Sequence, residues 1–146
     1  MALPEIVLPA WAGKIGGKLP GRPPRFALVF ALNIMLKRGL LPADMSLFDG
    51  RTFEIDVLDA GIKVRFTANA EKFIDADFLG TPDLRLAANG IDFMRMMMRE
   101  EDPDTLFFNR KLQIEGDTEL GLITKNLLDS VDWPFGDWFL KRQLSD

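Results

Sequence analysis

The run from Phe26 to Leu36 is apolar at every position except Asn33. Pro24 stands just before it, and Lys37, Arg38 and Gly39 follow. Proline is tolerated in a first helical turn, cations suit the negative end of a helix dipole, and glycine can leave the helix, so this run predicts a helix. Eleven residues rise about 16 Å at ~1.5 Å each, roughly half the hydrocarbon core of a bilayer, so the helix is too short to span one. A helix that is apolar nearly all round must bury two faces or lie against something greasy. A central core helix, a cavity-lining helix and a membrane-touching helix all meet that condition.

The pattern then changes period. Phe53, Ile55 and Val57 alternate with Thr52, Glu54 and Asp56; after Leu58-Asp59-Ala60-Gly61, Ile62, Val64, Phe66 and Ala68 alternate with Lys63, Arg65 and Thr67. Period two in both runs predicts an antiparallel hairpin with one buried face. Its outer face is acidic on the first strand and basic on the second, so the cross-strand pairs attract. Thr81-Pro82-Asp83 reads as a turn into a short strand carrying Leu84, Leu86 and Ala88. Asn89-Gly90 and Asp92 suit the start of a helix over Ile91–Arg99, which Glu100–Asp104 ends. A strand over Lys111–Glu115 directs Leu112 and Ile114 inward. Asp117 then caps a last helix whose apolar stripe is Leu120, Ile123, Leu127 and Val131. This order predicts an α+β domain, with a mainly antiparallel sheet of four to five strands covered on one face by helices. Residues 9–24 hold four prolines and four glycines, so residues 1–24 read as an extended basic arm. The domain proper then spans residues 25–146, with an aromatic tail from about residue 132.

Composition narrows the chemistry. The 146 residues include no Cys, His or Tyr. Disulfides, thiolate nucleophiles and Cys-based metal sites are excluded, and the commonest general base is missing. Charge is uneven: residues 1–42 carry six Lys/Arg against Glu5 alone, whereas the rest carries twelve basic and 21 acidic groups. A basic segment on an acidic body suits an anionic surface or acts as a solubilising tail, and the body would repel nucleic acid. The N-terminus has no basic region ahead of an apolar stretch, and Pro4 and Pro9 interrupt what apolar run there is, so the expected location is cytoplasmic.

Three motif-like strings fail on inspection. Gly13–Leu19 approximates a phosphate-binding loop, but Ala12 stands where the first glycine belongs and Leu19 replaces the hydroxyl that would meet magnesium. Asp75, Asp77, Gly80 and Asp83 match part of a calcium loop, yet Leu79 and Leu86 occupy two ligand positions. Glu115 and Asp117 could do acid–base work, but Asp117 is better read as a helix cap. No catalytic residue, metal or cofactor is expected.

The remaining signals are apolar. Phe93-Met94-Arg95-Met96-Met97-Met98 places four of the seven methionines within five residues, and flexible methionines suit a surface that accepts ligands of variable shape as well as ordinary gap-filling. Phe107-Phe108 follows in a polar connection. Trp133 and Trp138 lie near Lys141 and Arg142, a pairing suited to a membrane–water interface, to a flap over an apolar opening, or to simple packing.

The string from Phe107 to Leu122, with its aromatic pair, short basic-apolar strand and Gly116-Asp117 before an amphipathic helix, resembles the last strand and helix of the sterol carrier protein type 2 family. The preceding hairpin, strand and helix fit the same family over roughly residues 25–132. Lys125–Asp129 and the Pro-rich approach to an apolar first helix are most similar to members that serve as accessory factors of oxygen-independent ubiquinone biosynthesis. The resemblance implies a hydrophobic tunnel between sheet and helices, a polyprenylated quinone precursor or phospholipid as cargo, and partner hydroxylases that act on it. It supplies no catalytic motif. From the apolar clusters, the expected cavity lining is Phe30, Ile34, Phe93, Met94, Met97, Phe108, Ile123 and Leu127. Arg22, Arg25, Lys37, Arg38, Trp133 and Trp138 are the expected contacts to headgroups or to an inner-membrane surface. The competing expectation is a non-catalytic scaffold or peripheral-membrane module without a cavity.

Overall fold

A computed structural model describes residues 22–133. Most of the expected arm, and the tail with Trp138, lie outside these residues. The first helix, α1 (Arg22–Lys37), starts earlier than its apolar run because Pro23 and Pro24 fit its first turn, where no intrahelical N–H is needed. Val29 and Met35 are buried beneath it. Gly39, at φ +75°, ends it: Leu40 N–H donates to Met35 O at 2.9 Å and Gly39 N–H to Leu36 O at 3.2 Å. That pair of bonds is a Schellman cap, which a residue with a Cβ adopts only at a cost.

A 3-10 turn (Met45–Leu47) leads into the hairpin of β1 (Thr52–Val57) and β2 (Ile62–Ala68). The register pairs Glu54 with Arg65 and Asp56 with Lys63, as the charge alternation predicts. A two-residue edge strand, β3 (Phe73–Ile74), follows, then β4 (Leu84–Ala88) and β5 (Leu112–Gly116). The sheet order is β3-β2-β1-β4-β5. Pairing is antiparallel throughout except between β1 and β4, which run parallel, so the mainly antiparallel sheet is a mixed one. The start of the parallel pair is fixed by side chains. Thr52 N–H donates to Asp83 Oδ2 at 2.9 Å, and Asp83 N–H donates to Thr52 Oγ1 at 2.8 Å.

Among the described residues three further helices follow: α2 (Gly90–Met97), α3 (Pro103–Phe108) and α4 (Thr118–Ser130). The helix expected to reach Arg99 stops at Met97, and Arg99 turns to φ 59°. Asn89 holds the cap position of α2, but its side chain makes no cap bond; Asp59 of the hairpin turn accepts the Gly90 N–H instead, at 2.9 Å. The stretch expected to be a polar connection forms α3, because Asp102 accepts the Thr105 N–H at 2.7 Å and Pro103 opens the helix.

The four helices of the described residues all cover one face of the sheet. Val29, Met35, Phe48, Leu120 and Val131 meet Phe53, Val64, Phe66, Leu84 and Leu86. Met96 and Leu106 meet Ala88 and Leu112 at the β4–β5 side. The rings of Phe53 and Phe66 stack at 5.4 Å, with Phe48 and Phe73 around them at 5.8–6.3 Å. The other face of the sheet is charged. Arg85 reaches Asp56 at 2.7 Å and Glu54 at 3.2 Å, both carboxylates being buried. That hydrogen bond to Asp56 and the surrounding acids hold its guanidinium above the ordinary arginine pKa, against the cost of burial.

Candidate functional site

The last strand and helix are joined by Gly116-Asp117. Gly116 sits at φ +120°, and a Cβ there would lie 2.2 Å from the carbonyl oxygen of Asp83. Only glycine fits, because the β4 backbone passes so close. Asp117 N–H donates to that same carbonyl at 2.9 Å, and the Asp117 carboxylate accepts the Leu120 N–H at 2.8 Å. Its other oxygen meets Arg51 at 3.0 Å. The Leu120 bond first, and Arg51 second, lower the Asp117 pKa below that of an ordinary aspartate. The residue is therefore committed to capping, as its position in the sequence predicts.

Capped in this way, α4 presents its stripe to the core. Leu120 and Val131 are buried, while Ile123 and Leu127 are half-buried. Those two open into a cleft of about 330 Å³ between α4 and the segment before β1, with Pro42, Ala43, Leu47 and Phe48 on its far wall. A second opening of about 200 Å³ shares Leu47 and Ile123 and reaches Arg51, Asp117 and Glu119 at the start of the helix. On the opposite flank, a cleft of about 290 Å³ lies between α3, β5 and α4, lined by Phe107, Ile114, Gly121, Leu122 and Lys125. Gly121 lets this flank close up: a Cβ there would stand 3.2 Å from Ile114. Lys125 lies over the Phe107 ring at 5.2 Å and pairs with Asp104 at 2.8 Å. Both clefts join apolar side chains to polar ones, Asp44, Asn126 and Ser130 in the larger and Glu115, Asp117, Thr118 and Lys125 in the other, a mixture common in small-molecule sites. Among the described residues, no group of three or more Asp or Glu could hold a metal ion.

The expected lining residues do not converge on one place. Ile123 and Leu127 line the larger cleft. Phe30 lies on the outer face of α1, 57% exposed, with half-buried Ile34 one turn on. Phe93 packs against the cluster around Met96 and Leu106, Met94 is exposed, and Met97 is half-buried on the same helix. Phe108 is 76% exposed, edge-on to Phe107 at 5.9 Å. The expected headgroup contacts divide as well. Arg25 is held against Asp75 at 2.6 Å with its side chain 15% exposed. Lys37 and Arg38 are exposed, and Arg22 opens α1. Trp133 is half-buried against both core clusters and borders a small opening with Met96, Arg99 and Leu128. Leu47, Phe107 and Leu122 line the clefts without having been expected to. Leu47 has no periodic context, and Leu122 lies off the core stripe, on the flank that a stripe-based reading assigns to solvent.

Comparison with known proteins agrees with this architecture. The model of the SCP-2 sterol transfer family matches residues 32–129. The ubiquinone biosynthesis accessory factor UbiT of Escherichia coli (strain K12) is 34% identical over 108 residues, 74% of this chain and 62% of that protein. The same identity and coverage hold for UbiT of Escherichia coli O157:H7. The chain thus spans a little over three fifths of these relatives' length. Among solved structures, the UbiJ-SCP2 ubiquinone synthesis protein superposes with a TM-score of 0.58 at 17% identity, covering 77% of this chain and 94% of that one. The inverting sec-alkylsulfatase Pisa1 from Pseudomonas sp. superposes with a TM-score of 0.51 at 13% identity, over 75% of this chain and 16% of that one. At such identities the structural matches speak for the fold alone. With the family model matching residues 32–129, more than half of its length, the chain belongs to the SCP-2 sterol transfer family.

Proposed function

We propose that the protein is a non-catalytic accessory factor of ubiquinone biosynthesis that holds an apolar lipid along α4. The observation that carries this reading is the pair of apolar clefts flanking that helix, with Leu47, Ile123 and Leu127 on one side and Phe107, Ile114 and Leu122 on the other. Removing about 400 Å² of a lipid's apolar surface from water is worth ~10 kcal/mol before association costs, at ~25 cal/mol per Å². Such a site works without a hydrogen bond, the apolar side chains of the clefts supplying the contact. The cargo class, a polyprenylated quinone precursor or a phospholipid, is supported by the identity to UbiT. On this reading the protein shields the tail and presents the ring to hydroxylases that carry out the chemistry.

Uptake of a polyprenylated phenol by the delipidated full chain tests this. Leu47 and Leu122 are 48% and 55% exposed, so Leu47→Asp and Leu122→Asp perturb a cleft without opening the core. Each is expected to weaken uptake about tenfold, ~1.4 kcal/mol. Wild-type uptake in both folded variants would overturn the cleft assignment, and no uptake by the wild type would favour a protein-docking module.

A further inference from the structure

Five polar or charged residues are buried among the described ones, and four of them are paired. Asp56 and Glu54 meet Arg85 at 2.7 and 3.2 Å, and Asp92 meets Arg95 at 3.3 Å. The fifth is Thr124, in the middle of α4 and 7% exposed, and its hydroxyl has no hydrogen-bond partner among the described residues. A helical hydroxyl can bond the carbonyl four residues back, as Ser130 Oγ does to Asn126 O at 3.0 Å on the same helix. Thr124 Oγ1 makes no such bond. The other buried atoms without a partner, on Arg51, Arg65 and Glu101, belong to half-buried side chains. Leaving a buried hydroxyl unpaired costs stability, so a position with no use for it is better filled by valine, which has the same shape.

Thr124 follows a wall of the smaller lipid cleft. Gly121, one turn earlier on the same side of α4, lines the opening of about 290 Å³ together with Ile114 and Lys125. A Cβ at Gly121 would stand 3.2 Å from Ile114 and 3.6 Å from Leu84, so this side of the helix faces β4 and β5. Leu120 and Leu128, one turn to either side of Thr124, pack in the core. A cargo drawn in past Gly121 therefore leaves apolar walls for a single hydroxyl. We infer that the Thr124 hydroxyl is the hydrogen-bonding point for an oxygen on the cargo's ring, and that it selects an oxygenated ring over a bare hydrocarbon one. A hydroxyl both donates and accepts, so it serves a phenol and a quinone carbonyl alike. Apolar walls discriminate weakly between such rings, whereas a buried polar group favours the ligand that pairs it. The inference rests on the reading that the cleft beside Phe107 and Leu122 holds the cargo.

Two ligands that differ by one oxygen test this: 2-geranylphenol and geranylbenzene, each titrated into the delipidated full chain. The readout is the ratio of the two affinities, phenol over hydrocarbon. It should fall about tenfold from the wild type to Thr124→Val, which keeps the shape and loses the hydroxyl. Thr124→Ser retains a hydroxyl and should retain the ratio. Thr124→Val should also melt no lower than the wild type, because it removes an unpaired group. With 2-geranyl-1,4-benzoquinone bound, the infrared carbonyl stretch should lie at lower frequency in the wild type than in Thr124→Val, the signature of direct contact. An affinity ratio unchanged in Thr124→Val would overturn the inference. So would a Thr124→Val protein that melts several degrees lower, which would show the hydroxyl already bonded within the chain. If the wild type binds neither compound, the lipid-holding reading itself falls, and this inference with it.

Discussion

The side chain of Asn33 is bonded to the backbone of Phe73 in both directions: its Nδ2 donates to the Phe73 carbonyl at 2.9 Å, and its Oδ1 accepts the Phe73 N–H at 2.9 Å. One helical residue thus supplies the outer edge of a two-residue strand whose inner edge is β2. This accounts for the single polar position in the apolar run of α1. It also fixes the helix against the edge of the sheet, while Phe26 and Phe30, on the neighbouring flank of the helix, stay exposed.

Replacing Asn33 with leucine, which has the same branching but no hydrogen-bonding group, would leave two part-buried backbone groups without partners. The expected cost is about 2–3 kcal/mol. Urea unfolding measures it, and faster hydrogen exchange at the Phe73 amide would localise it. A loss below ~0.5 kcal/mol would mean that water replaces the amide at no cost.

Gly116→Ala should destabilise the fold by at least about 2 kcal/mol, because the new Cβ meets backbone and the φ is one that alanine resists. Gly39→Ala, also at positive φ but with open space around its Cβ position, should cost only about 1 kcal/mol. Thermal melts of the two variants separate steric clash from backbone strain.

Arg85→Met would remove the 2.7 Å partner of Asp56 and leave Glu54 only the more distant Arg65, at 3.9 Å; the two acids are 4% and 8% exposed, respectively. A loss of about 3 kcal/mol is expected, since buried charges without a partner are costly. Adding Glu54→Gln and Asp56→Asn to that variant should recover part of it, and a double-mutant cycle by urea unfolding reads the coupling.

Acid should weaken two helix starts. Asp102 and Asp117 both have folded-state pKa values below the ordinary aspartate value, Asp102 through its bond from Thr105 N–H and Asp117 through that from Leu120 N–H. For a lowered pKa, the stabilisation is complete above the unfolded value of about 3.9 and is lost as pH falls through the folded one. Asp102→Asn with Asp117→Asn keeps an acceptor at each cap but cannot titrate. Its melting temperature should therefore fall less steeply than that of the wild type below about pH 4. Parallel curves would contradict the assignment.

Much of the fold is legible in the sequence. The hairpin and its buried face follow from the alternation on either side of Leu58–Gly61, and Asp117 is recognisable as a cap from its place before the amphipathic stripe. Three elements are not. Phe73–Ile74 is too short to show a period and depends on Asn33, forty residues away. The 3-10 turn rests on a local bond from Ser46 N–H to Asp44 at 3.2 Å. Asp102-Pro103 reads as the end of α2, although the same dipeptide starts α3. The candidate site is less legible still, because its clefts form where distant segments meet. Ile123 and Leu127 belong to a visible stripe, whereas Leu47 and Leu122 gain their meaning only from what packs beside them. The methionine cluster divides: Met96 fills the core, as gap-filling would have it, and Met94 is exposed.

Native mass spectrometry of the full chain as purified, followed by organic extraction of what it carries, tests the central claim most directly. The account predicts a one-to-one adduct that extraction resolves as an isoprenoid quinone precursor or a phospholipid, depleted in the Leu47→Asp and Leu122→Asp variants. A bare protein mass, with no adduct after incubation with either lipid class, would contradict it.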